Sequence, residues 1–97
     1  MVENPFAIQT YAVSSLVELP AMTAGNMGQI LNISSYFNIP SGYHIGSVII
    51  DSITNAGYAY QLVPFYYRNT DTLNIRCFYT LPANAVSANF GAVLVKD

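Results

Sequence analysis

His44 is the only histidine in the chain, and it stands just after Ser41-Gly42-Tyr43. A hydrolase would need it as the base for a serine, with Asp51 or Asp71 completing the triad. No nucleophile-elbow pattern surrounds any serine, so His44 is expected to open a strand at the rim of the fold, half exposed. Asp51 and Asp71 could serve glycoside hydrolysis only if folding brought them together as a carboxylate pair. One histidine, one cysteine and five scattered acidic residues have no chelating spacing, so neither a metal nor any other cofactor is expected. Cys77 alternates with Leu73 and Ile75 and is expected to act as a small buried hydrophobe rather than a reactive thiol. No catalytic residue is assigned, and the expectation is a protein that is not an enzyme.

The eight tyrosines carry more recognition chemistry. A tyrosine ring is flat and apolar with a polar tip, so it can stack on the face of a sugar while its hydroxyl bonds to sugar hydroxyls. Tyr58, Tyr60, Tyr66 and Tyr67 cluster near an expected hairpin at Asn69, beside Arg68 and Asp71, which would orient a ligand. These six residues form the candidate ligand surface. The competing use of the rings is core or interface packing, which about half of them must serve.

The elements that would hold such a surface are strands. Five prolines and six glycines cut the chain into pieces too short for amphipathic helices. Strands are expected over Thr10–Glu18, Gln29–Asn38, His44–Ile53, Tyr58–Tyr67, Leu73–Thr80 and Asn89–Lys96. Apolar residues on both faces around Ile49-Ile50 mark His44–Ile53 as a central strand, whereas Pro64 marks its strand as an edge or a bulge. Strands without intervening helices imply one all-β domain over residues 1–97, an antiparallel sandwich or jelly roll of roughly six to eight strands. About residues 1–9 would be a linker, or the entry from an upstream shaft.

Composition says how such a domain is used. Hydrophobic residues make up 53% of the chain, and charged residues are only 8%, against a usual ~25%. A domain this small buries only about two thirds of its unfolded surface, so the apolar surplus points to oligomerisation. Ile49, Phe78, Phe90 and Leu94 are the interface candidates. Arg68, Arg76 and Lys96 are too few to neutralise several phosphates, which excludes nucleic acid as a partner. No apolar run approaches the ~20 residues of a membrane span, and Met1 to Pro5 lack the features of a signal peptide, so no membrane insertion is expected.

The stretch from Asn38 to Asp97 contains Ile39-Pro40-Ser41-Gly42-Tyr43, Val63-Pro64-Phe65 and Asn69-Thr70-Asp71-Thr72-Leu73-Asn74-Ile75, and then a strand running to the final residues. In this order it resembles the C-terminal head domains of bacteriophage tail fibres and receptor-binding proteins. The resemblance implies a trimer of small β-sandwiches or jelly rolls, located in the virion, that binds a glycan on a bacterial cell surface. The chain departs from that pattern in lacking tryptophan and a recognisable shaft. Two other expectations share the fold: a structural virion or appendage domain with no host ligand, and a trimeric head of a bacterial surface filament.

Overall fold

The computed structural model describes residues 9–55, 57–58 and 62–97. Six strands are seen: β1 (Gln9–Glu18), β2 (Met27–Leu31), β3 (Tyr43–Ile53), β4 (Leu62–Tyr67), β5 (Thr72–Cys77) and β6 (Ser87–Lys96). They form two three-stranded antiparallel sheets, ordered β1-β6-β3 and β2-β5-β4.

The two sheets share one plan. The link from β1 to β2 runs beside the link from β5 to β6: Leu19 N–H donates to the Val86 carbonyl at 2.9 Å, and Met22 and Leu81 exchange backbone bonds at 2.9 and 2.8 Å. β3 pairs with β6 and β4 with β5, so β1 and β2, β3 and β4, and β5 and β6 each supply one strand to either sheet. Apolar side chains from both sheets meet in one cluster. Val17, Ile45, Val48, Phe90 and Leu94 come from the first sheet, and Ile30, Leu62, Leu73, Ile75 and Cys77 from the second. Each large side chain removed from water there contributes about 1.5–3 kcal/mol before chain entropy is charged against it.

The alternation of Leu73, Ile75 and Cys77 is observed, with all three fully buried on β5, but the strand expected through Thr80 stops at Cys77 and Tyr79 beyond it is exposed. The Cys77 thiol donates to the Tyr79 carbonyl. Pro64 lies on the edge strand β4, where its missing N–H costs no ladder bond.

Four expectations are corrected. β3 is an edge, and the centre of its sheet is β6, whose Ala88, Phe90, Ala92 and Leu94 are buried. The expected strand over Gln29–Asn38 stops at Leu31, because Asn32 turns left-handed at φ 53° and Ile33–Tyr36 form a 3-10 turn. Of the strand expected over Tyr58–Tyr67, Leu62–Tyr67 is observed as β4; Tyr58 itself is not in a strand, and residues 59–61 fall outside the described ones. Phe90 and Leu94, taken for interface residues, are buried in the core of the single chain and have no surface to offer a second copy. The linker expected before Thr10 falls on residues 1–8, outside the described ones, while Gln9 already belongs to β1.

Candidate recognition surface

The pleat of β4 divides the tyrosines that the hairpin brings together. Tyr66 packs against the core and Tyr67 faces out. Between β4 and β5, Arg68–Thr70 make a 3-10 turn closed by Asp71, left-handed at φ 52°. The Asp71 carboxylate is occupied: it accepts from Ser34 N–H at 3.2 and 3.3 Å, from the Ser34 hydroxyl, and from the Tyr66 hydroxyl at 3.1 Å. Burial, reinforced by the bond to Asp71, pushes the Tyr66 phenol up to about 12. Asp71 and Tyr66 therefore tie the 3-10 turn after β2 to the β4–β5 hairpin, and neither presents a free group to a ligand. Tyr58 packs on the core cluster, Arg68 is exposed at the hairpin, and Tyr60 lies outside the described residues.

The outer face of β2-β5-β4 holds residues the sequence pattern did not single out. Opposed residues in an antiparallel pair share a face, which sets three rows across this sheet. They are Met27–Arg76–Val63, Gln29–Asn74–Phe65 and Leu31–Thr72–Tyr67. The flanks are open, with Phe65 61% and Leu31 63% exposed, and are apolar except for Gln29 on β2. The middle is polar and covered, with Asn74 only 9% exposed. Phe65 and Tyr67 stand two residues apart on one side, ring centroids 6.4 Å apart and tilted by 50°. Gln29 Nε2 donates to Asn74 Oδ1 at 3.1 Å, and Thr70 Oγ1 to Thr72 Oγ1 at 3.0 Å. Between these groups and Met27 runs an open groove of about 520 Å³. Of the six ligand candidates read from sequence, Tyr67 alone lines it. The signal for the other lining residues lies in the pairing of β5 with both β4 and β2, the latter a segment far away in the chain.

The remaining chemical candidates lie apart from one another. His44 Nδ1 meets Asp97 Oδ1 at 2.6 Å, near neither Asp51 nor Asp71 in bonding. Asp51 instead accepts from the Tyr11 hydroxyl at 2.8 Å. Among the described residues no three His, Cys, Asp or Glu side chains gather as a metal site would require. Ile49 is exposed on the outer face of β1-β6-β3 with Tyr11, Val13 and Leu16. Phe78, just past β5, is also exposed, and the Arg76 guanidinium carbon lies 5.7 Å from its ring centroid.

No family model, curated protein or solved structure matches the chain. Fold and surface define a small all-β protein of two antiparallel sheets, one of which carries an aromatic-walled, amide-floored groove on its outer face.

Proposed function

We propose that this chain is a non-enzymatic binding head that recognises a saccharide, assembled as a homo-oligomer of sandwich- or jelly-roll-like domains. One observation carries the reading: a groove in which exposed Phe65 and Tyr67 flank the buried Asn74 carboxamide and Thr72 hydroxyl, with the exposed side chains of Gln29 and Thr70 beside them. Sugars present an apolar ring face and a rim of hydroxyls, and this groove offers a partner to each. The resemblance of residues 38–97 to tail-fibre heads, which covers β3 to β6, supports reading it as a virion head that acts on a bacterial cell-surface glycan as a trimer.

The assembly half rests on the other sheet. Tyr11, Val13, Leu16 and Ile49 leave its outer face apolar and open, a surface suited to a subunit interface. A purely structural role, with assembly but no ligand, is the competing reading, favoured by that same face.

Solution mass by light scattering, together with binding of the intact protein to bacterial surface glycans, tests both halves. A mass of three chains that persists on dilution, with glycan binding weakened in Phe65→Ala and Tyr67→Ala, is the expected result. A trimer that binds no glycan would leave the structural role, and a persistent monomer would remove the assembly.

A further inference from the structure

We infer that the groove on β2-β5-β4 is a subsite for an uncharged sugar ring, its apolar face against Phe65 and Tyr67 and its hydroxyls on the Gln29 and Asn74 carboxamides. This rests on the saccharide-binding reading above and adds the ligand's charge class and its orienting groups. The groove's lining of Met27, Gln29, Phe65, Tyr67, Thr70, Thr72 and Asn74 holds no carboxylate, lysine, arginine or histidine. The nearby charges stand outside the lining. Arg76 lies one row away over the Phe78 ring, the Asp71 carboxylate is held by Ser34 and Tyr66, and Arg68 is exposed in the hairpin turn.

An acidic sugar entering here would shed water around its carboxylate with no counter-charge in the lining itself, and an amino sugar would do the same with its ammonium. A neutral hydroxyl suffers no such penalty. Carboxamides suit it because each both donates and accepts, and the single Gln29–Asn74 bond uses only part of their capacity. Buried Asn74 is held in place by that bond and by the packing of β5, so the floor is set before a ligand arrives. Open rings above a fixed polar floor orient a pyranose with its apolar face toward β4 and its hydroxyl edge toward β2 and β5.

The test uses the intact 97-residue protein, with side-chain amide signals of Gln29 and Asn74 followed by NMR. The probes are neutral hexose oligosaccharides and matched oligosaccharides carrying a uronic acid or a free amine. Neutral probes should shift both amide signals, and Phe65→Ala or Gln29→Ala should weaken that binding by about tenfold or more. Phe65 and Gln29 stand on the outer face, so neither change empties the core. Stronger binding of acidic probes, falling steeply with salt, would overturn the uncharged class while leaving a saccharide head in place. Glycan binding that shifts neither amide would move the site elsewhere, and the failure of every glycan to bind would overturn the saccharide reading itself.

Discussion

Tyr11 reaches from β1 across the central strand β6 to Asp51 on β3, donating its hydroxyl to Oδ1 at 2.8 Å directly over Gly91. A β-carbon at Gly91 would lie 1.8 Å from that hydroxyl oxygen and 2.5 Å from the ring carbon bearing it. Glycine at this position thus lets one side chain span three strands. The bond to Asp51, and secondarily burial, raises the Tyr11 phenol above its ordinary value.

Gly91→Ala should therefore push the Tyr11 ring aside and break its bond to Asp51. The expected loss is about 1–2 kcal/mol, read as a fall in Tm of roughly 4–8 °C per kcal/mol for a domain of this size. In a Tyr11→Ala background the same substitution should cost far less, because the obstructing ring is gone. Equal losses in both backgrounds would show that the ring does not set the requirement for glycine.

Asp71 offers a second test. Its carboxylate holds Ser34 and Tyr66, elements separated along the chain, and its backbone occupies the left-handed region that Asn tolerates and Ala resists. Asp71→Ala removes the acceptor and adds backbone strain, for an expected loss of about 2–4 kcal/mol in denaturant unfolding. Asp71→Asn keeps an acceptor and the backbone preference and should lose less. An Asn variant as unstable as the Ala variant would place the whole effect in the charge.

These contacts also show where sequence reading stops. Strand β5 is legible because Leu73, Ile75 and Cys77 alternate with polar residues and turn a single apolar face to the core, although Thr72 and Asn74 on the other face are buried too. The segment after Leu31 alternates just as well, yet it is a 3-10 turn, because Asn32 takes a left-handed backbone and Asp71, from a distant hairpin, captures the Ser34 N–H. Ile49-Ile50 looked like the middle of a buried strand, but Ile50 packs inward while Ile49 is exposed on an open face. Phe90 and Leu94 share the inward parity of β6, which depends on a register set with β1 and β3. The hairpin tyrosines were found by composition, but which of them face out is decided by the pleat. The groove needs Gln29 opposite Asn74 and Phe65 opposite Asn74, pairings across strands that no local pattern records.

Tyr66 makes the stability of the fold sensitive to alkali. Its phenol is raised to about 12 in the folded chain, against 10.0 for the ordinary group. A raised folded pKa means the contribution is fully present below pH 10 and is lost as pH climbs from about 10 to about 12, where the unfolded chain gives up its proton first. Unfolding free energy should decline across that window beyond what the other tyrosines cause. Tyr66→Phe should remove the extra decline. An unchanged alkaline profile in the Phe variant would mean the Tyr66–Asp71 bond does not set it.

The two outer faces predict two separable phenotypes. Val13 and Ile49 flank Gly91 in one row across β1-β6-β3, so Val13→Lys with Ile49→Lys places two charges side by side on that face. Both side chains are about half exposed, at 51% and 46%, so the core is untouched and the monomer fold should survive, as circular dichroism would show. If copies of the chain meet through this face, the pair of lysines must be desolvated on association, and the mass seen by light scattering should fall to that of one chain. Phe65→Ala and Tyr67→Ala lie on the opposite sheet and should leave the mass unchanged while weakening glycan binding. The reverse outcome, with assembly lost in the Phe65 and Tyr67 variants and kept in the lysine variant, would exchange the roles of the faces, because a groove buried between subunits could not also receive a cell-surface sugar.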